Sequence, residues 1–326
     1  MSELLDRLGV ERPVVQAGMG GGISRARLAA AVSGAGGLGT IGFLPPGELR
    51  REIAAAREQT ERPVAANLLL PFAGRAHAEA AAEADAVVTF WGEPRRPGSA
   101  RVWLHQAGSL AEARAAREAG ADGVIVQGRE AGGHVRGKLP ALELLAQARA
   151  ELPAPYPLLL AGGIATADDV RTALDAGADA AVLGTRFVMT PESGAHPAYR
   201  ERLVEARETV LTELFGMGWP DAPHRVVENE AVRRWRRRER PIGALNRLTG
   251  RLMPAAPTGL QERLIAAQRP AIPLLSPYAP TDDRGENLLE SGPLYAGETV
   301  ARIGDVRSAA ELVRELAPPT AQPRPA

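Results

Sequence analysis

In the middle of the chain, Gln127-Gly128-Arg129-Glu130-Ala131-Gly132-Gly133-His134 sets an amide, a carboxylate and an imidazole among glycines. An imidazole near its unperturbed pKa of about 6.5 can exchange a proton at neutral pH. A lone histidine is more often an exposed or satisfied structural residue. Here two glycines lead into it and Glu130 stands four residues before it. That setting favours His134 as the catalytic group, abstracting a proton from the substrate or polarising it. Glu130 is expected to orient the loop, with a substrate contact as the alternative.

Two further glycine turns suggest an anion site. Gly162-Gly163 and Gly184-Thr185 each end an apolar run, the second through Val182 and Leu183. Backbone N–H groups in such turns can converge on a phosphate, although plain strand-to-helix turns use glycine in the same way.

Overall composition narrows the partner. Among 326 residues, 39 basic and 39 acidic side chains cancel. The balance gives no charge footprint for nucleic acid or a membrane surface, so a small-molecule substrate is expected. Cysteine is absent, which excludes disulfides, thiolate metal sites and a cysteine nucleophile; no metal site is predicted. Lys138 is the only lysine, so Schiff-base chemistry has almost no available nucleophile. Neither a secretory leader nor an apolar span of about 20 residues is visible, and the expected location is cytoplasmic.

These residues need elements to bring them together. Short apolar runs at 14–16, 39–42, 64–70, 86–90, 101–105, 123–127, 158–161 and 180–183 alternate with Ala-rich amphipathic stretches. Runs without polar alternation suit strands buried on both faces, as in parallel sheets. Eight of them with intervening helices predict an α/β fold, a (β/α)₈ TIM barrel rather than an open sheet. Helices are predicted over 24–33 and 47–60, and Ser109 and Thr166 stand at capping positions that open two more. The stretch 91–100, with Pro94, Pro97 and Gly98, is too short and Pro-rich for a helix. It leaves a face that a loop, or the second subunit of a homodimer, could cover.

After the eighth run the alternation stops. Residues 1–198 are read as the barrel and 199–293 as an inserted helical subdomain over the substrate site. That insert carries the arginine run 233–238, most simply a solvated helix face. Residues 294–317 return to complete the barrel with a helix over 306–316, and the Pro-rich 318–326 is predicted to be a disordered tail.

Loops at the C-terminal ends of barrel strands carry the active site. On that rim fall Ala17, Gly18 and Met19 after the first run, Asn67 on the third and His105 ending the fifth. Gln127 to His134 follow the sixth, and the two glycine turns follow the seventh and eighth. Nearly every glycine cluster lies on one rim, which suits close approach of backbone to a large flat ligand.

The phrase Gln-Gly-x-Glu-Ala-Gly-Gly-His resembles the signature of the nitronate monooxygenase (2-nitropropane dioxygenase-like) family. The similarity continues through 31–39, Ala161-Gly162-Gly163-Ile164 and Gly184-Thr185-Arg186-Phe187, and resumes weakly at 294–298. The resemblance implies an FMN-dependent oxidoreductase. Ala17, Gly18 and Met19 would lie against the flavin ring, and Asn67 would hydrogen-bond it. Gln127 would contact the ring or ribityl region, and Gly132 would admit close backbone approach. Gly162, Gly163, Val182, Leu183, Gly184 and Thr185 would hold the phosphate. His134 would be catalytic. Independently of the resemblance, His105, by its place on the rim, is a candidate substrate contact with polar pocket lining as the alternative, and Glu130 is a second candidate. The implied reaction oxidises nitronates or nitroalkanes with O2 to carbonyl compounds and nitrite. A rival passes hydride from NAD(P)H through the same pocket to a quinone or an enoyl thioester, since no separate Rossmann fingerprint is present. A degenerate barrel kept as a binding or scaffold module is the non-enzymatic alternative. Two departures point that way: the absent helix after the fourth strand, and three glycines following Met19.

Overall fold

Eight parallel strands close into a barrel in the computed structural model, which describes residues 3–219, 221–252 and 258–319. The strands are Val14–Gln16, Gly39–Ile41, Val64–Leu69, Ala86–Phe90, Trp103–Ala107, Gly123–Gln127, Leu158–Ala161 and Ala180–Leu183. Each pairs with the next in chain order, and the first pairs with the eighth. A bridge between Val15 and Leu38 joins the first strand to the second and completes the ring.

Period-two alternation sorts the side chains. Val15, Ala65, Val88, Leu104, Ile125, Leu159 and Val182 pack together inside the barrel. Leu4, Leu5 and Leu8 of helix Glu3–Leu8 join that cluster and plug the end opposite the catalytic loops. Val14, Trp103, Val124, Leu160 and Leu183 face outward onto the helices. Both layers are apolar, so the strands read as unbroken hydrophobic runs.

Helix starts follow the expected chemistry. Ser109 accepts from the Glu112 N–H at 3.2 Å, but Glu112 turns its carboxylate to the Gly108 N–H at 2.8 Å. Thr166 and Asp169 form the full reciprocal capping box. The stretch from Trp91 to Val102 contains no helix, as its prolines predict. Arg96 fills part of the gap, its guanidinium 5.5 Å from the centroid of the Trp103 ring and bonded to Asp122.

The fifth strand runs over Trp103–Ala107, two residues beyond its predicted frame. Asp122 accepts from the Trp103 N–H at 2.8 Å and fixes where pairing begins. The slip preserves the parity and the five-residue length but moves the strand along, so the inward residue nearest the rim is Gln106, opposite Phe90, rather than His105.

Beyond the eighth strand, the segment 199–293 holds helices Glu230–Trp235, Glu239–Leu252 and Thr258–Ala266, and also strands Val210–Thr212 and His224–Val227. Those strands were not foreseen. With Leu294–Tyr295 and the short strand Gly133–His134 they form an antiparallel sheet. His224 lies opposite His134 and Arg225 opposite Gly133. The insert is thereby stitched to the loop after the sixth strand. Helix Ala309–Leu316 completes the outer ring, its capping box made by Ser308 and Glu311. From residue 320 onward, the predicted tail lies outside the described residues.

Candidate active site

The His134 loop is held from both ends. Gln127, inward-facing at the end of the sixth strand, donates from Nε2 to the His134 carbonyl at 3.0 Å and accepts from the Arg136 N–H at 2.9 Å. Its amide is therefore engaged with the loop, and its role here is to position His134. Replacing it isosterically, Gln127→Glu, removes the donor and sets two oxygens against each other. Urea unfolding is expected to show a loss of about 1–3 kcal/mol, the cost of a buried unsatisfied group; an unchanged midpoint would remove Gln127 from that role.

Glu130 lies below the same loop. The Ala141 N–H donates to both of its carboxylate oxygens, at 3.2 and 3.0 Å, at the start of helix Ala141–Glu151. The carboxylate thus orients the loop against a helix N-terminus, where the dipole favours a negative charge. That geometry favours the loop-orienting role over the alternative substrate contact. Gly132 is required by packing: a methyl group there would lie 2.5 Å from the carbonyl carbon of Ala296 and the nitrogen of Gly297. Its close approach is to this segment rather than to a ligand.

Around His134 the chain assembles aromatic rings. The imidazole stacks on Trp219, with centroids 3.9 Å apart and planes 20° from parallel. His224, Tyr295 and Trp91 follow at 5.3, 5.7 and 6.1 Å. His224 Nδ1 donates to the Ala222 carbonyl at 3.0 Å, and its Nε2 accepts from the Phe215 N–H at 3.4 Å, which defines a neutral tautomer. Burial lowers the His224 pKa to about 4, with the Ala222 bond opposing. His134 is only partly buried as a residue, yet its Nε2 is closed to solvent and has no hydrogen-bond partner. Burial, and then the nearby His224, hold its pKa well below the usual value. Compared with a free imidazole, which exchanges protons near neutral pH, this one is biased toward its neutral form.

A second polar group faces the barrel mouth. Asn67 shares the inward parity of Ala65 on the third strand, and Thr40 lies beside it on the second. The Thr40 hydroxyl is buried without a partner. Gly18 presses on both: a methyl there would be 2.4 Å from Asn67 Cβ and 3.1 Å from Thr40 Cγ2. Gly18→Ala is accordingly expected to displace Asn67. Its effect should appear as a weakened affinity for any ligand held at the mouth, measured by equilibrium dialysis, with helix content unchanged. Met19 reaches the adjoining packing, and Ala17 donates its N–H to the Leu183 carbonyl at 2.9 Å.

The two glycine turns border the same rim. Gly162 and Gly163 take φ of 106° and 76°, a region open to glycine and strained for other residues. Gly184 precedes the short helix Thr185–Val188, and the Thr185 hydroxyl accepts from the Gly297 N–H at 2.9 Å. Val182 points into the barrel. Leu183 points outward among the helices with its carbonyl occupied, so it offers the mouth no side chain.

His105 stands apart. Its Nδ1 lies 2.8 Å from the Thr89 hydroxyl, which also accepts from Trp103 Nε1 at 2.7 Å, in the layer between strands and helices. Burial lowers its pKa to about 4, opposed by Glu112 and assisted by Arg136. Its outward parity, shared with Trp103 and Ala107, places it outside the barrel and away from the mouth, where the expected substrate contact would have to be.

Sequence reasoning missed Trp91, Trp219, His224, Tyr295 and Thr40. Only Trp91 carried a usable signal. Phe90-Trp91 is the one pair of adjacent aromatic residues in the sequence, and it falls where the rim rule applies to the fourth strand. Trp219 and His224 come from the insert, Tyr295 from the returning segment after it, and Thr40 from a strand read only as apolar. The arginine run lies at the surface, with Arg233 facing Glu290 at 3.8 Å and Arg236 facing Glu228 at 3.3 Å. A cavity of about 370 Å³ lined by Glu130, Leu142, Gly163, Glu298 and Arg302 opens beside the Gly163 turn. No helix among the described residues is long and apolar enough to cross a membrane.

Known proteins share this arrangement. A profile described as nitronate monooxygenase matches residues 1–94 and 95–318. A nitronate monooxygenase of Pseudomonas aeruginosa is 34% identical over 288 residues, covering 69% of this chain and 80% of the relative. The structure of FabK from Thermotoga maritima superposes with a TM-score of 0.75 at 27% identity, covering 97% of this chain and 94% of that one. A nitroalkane oxidase from Streptomyces ansochromogenes superposes with a TM-score of 0.72 at 27% identity, covering 96% of each.

Proposed function

This chain belongs to the nitronate monooxygenase family, and we propose that it binds FMN at the barrel mouth and oxidises nitronates or nitroalkanes with O2, releasing a carbonyl compound and nitrite. The observation that carries this reading is that buried polar groups on two separate elements of the barrel lack protein partners. The Thr40 hydroxyl and His134 Nε2 are closed to solvent and unpaired. Buried polar groups are normally satisfied, so such groups at a rim indicate a missing ligand.

The residues fit a flavin nucleotide. Asn67 and Thr40 would take the polar edge of a flat ring, and Gly18 would let that ring approach the backbone. Gly162, Gly163 and Gly184, with the Thr185 hydroxyl, would hold the phosphate. FMN bound there would supply the electron-accepting chemistry. This chain's residues would orient the substrate, exclude water and polarise the nitro group. The neutral imidazole of His134 suits hydrogen bonding to a developing or existing negative charge on the nitro oxygens. The aromatic rings around it exclude water and strengthen that bond.

The purified protein is expected to be yellow, with flavin absorbance that bleaches anaerobically on adding a nitronate and returns with air, accompanied by nitrite. Bleaching by NADPH, followed by reoxidation with a quinone or an enoyl thioester and no response to nitronate, would establish the rival hydride-transfer reaction. A colourless protein that FMN fails to reconstitute would reject both.

A further inference from the structure

Trp91 is bent in a way that packing alone does not call for. It adopts φ 65°, one of only two non-glycine residues with positive φ among those described. For a bulky residue this backbone is a true outlier, and such strain persists where a side chain is needed in one place. The strain aims the indole at the active site. Its ring meets Trp219 edge-on at 5.1 Å and His134 at 6.1 Å, and the Arg136 guanidinium covers it at 4.8 Å.

We infer that Trp91 contacts the substrate and, with Trp219 and Tyr295, makes the site select a nitro compound bearing a flat apolar substituent over one bearing a carboxylate. This inference rests on the nitronate reading of the same site. Two sets of contacts carry it. The rings that converge on His134 form an apolar wall of the kind that prefers another π-system at 4.5–7 Å. The neighbouring cations already have acidic partners: Arg136 pairs with Glu112, and Arg225 pairs with Glu298 at 2.9 Å while bonding the Arg129 carbonyl, which leaves the buried Arg225 Nε without a partner. A substrate carboxylate would have to compete with Glu112 and Glu298 for these guanidiniums and would be desolvated at a cost. Tyr295 is fixed in place by donating its hydroxyl to the Pro277 carbonyl at 2.8 Å, which turns its ring, not its hydroxyl, toward His134.

Steady-state oxidation should be compared for the nitronates of phenylnitromethane, 2-nitropropane and 3-nitropropionate, alongside direct binding of nitrobenzene and nitroethane by calorimetry. The wild type is expected to favour the phenyl compound and to disfavour the carboxylate. Trp91→Ala and Trp91→Gly should each erase about tenfold of the phenyl preference, mainly in KM, with Trp91→Phe restoring part of it. Trp91→Gly should melt higher than Trp91→Ala, reversing the usual order of these residues, because only glycine relaxes at this φ. An unchanged ranking of nitronates and an unchanged nitrobenzene affinity in both variants would overturn the role of Trp91, as would a wild-type preference for the carboxylate. If no nitronate is turned over but nitrobenzene binding depends on Trp91, the reaction assignment fails and the aromatic wall stands.

Discussion

His134→Ala is expected to lower kcat/KM by about 10²- to 10⁴-fold, the usual contribution of a positioned proton donor or acceptor, for a nitronate and its parent nitroalkane alike. The flavin content of the variant should be unchanged, since His134 lies with the insert and not with the phosphate turns. The equal loss for both substrates follows from the imidazole's surroundings. Stacked on Trp219 at 3.9 Å, with its Nε2 sealed from solvent, it is a weaker base than a free histidine. A weak base gains little by abstracting a carbon-bound proton, while a neutral N–H can still donate to the nitro oxygens of either substrate. The same argument fixes the pH dependence. A histidine with a depressed pKa is neutral above its folded value, so the kcat/KM profile should show no limb near 6.5 and any His134 limb should lie on the acid side of it. A loss confined to the nitroalkane, together with an inflection near 6.5, would make His134 a general base and refute the donor role.

How far this site could be read without coordinates depends on which physical signal each residue leaves. The barrel was legible because every strand is buried on both faces, so Val124-Ile125-Val126 and Leu158-Leu159-Leu160 stand out against their Ala-rich neighbours. The fifth strand was misframed because its rim end, His105-Gln106, is polar and does not extend the apolar run. Ending the strand at His105 put that residue at the rim, while its outward parity, shared with Trp103, leaves it in the outer layer in either frame. Glu130 and Gln127 were correctly located on the loop, but their hydrogen bonds to Ala141, His134 and Arg136 are tertiary contacts invisible to spacing. His224 and Trp219 left no trace at all. They reach His134 through an antiparallel pairing between segments about 90 residues apart in sequence, and strand pairing of two residues has no periodicity to detect.

The neutral histidines carry a thermodynamic consequence that activity measurements would not reveal: the fold is expected to lose stability between about pH 6.5 and pH 4, earlier than its carboxylates would dictate. His105 and His224 have pKa values lowered to about 4 by burial. Unfolded, each returns to about 6.5. Between those values the unfolded chain binds more protons than the folded one, so stability falls as pH falls, and it is fully retained above the unfolded pKa. At pH 5 each histidine removes roughly 2 kcal/mol by this linkage, about 4 kcal/mol for the pair against a typical total of about 5–15 kcal/mol. His134 acts in the same direction. The lowered carboxyls of Asp169 and Asp283 weaken the fold only at still lower pH, below their unfolded values. Glu213, raised by burial, opposes the trend. Urea midpoints measured from pH 8 to pH 5 should therefore drop steeply below 6.5. His105→Gln keeps an acceptor for the Thr89 hydroxyl but cannot take up a proton, and it lies outside the proposed active site. It is expected to shallow that decline by about 2 kcal/mol at pH 5, with turnover per flavin unaltered at pH 7.5. A wild-type midpoint that stays level across this range would show that these imidazoles are hydrated in the folded protein, and the dry surroundings argued for His134 would then have to be abandoned as well.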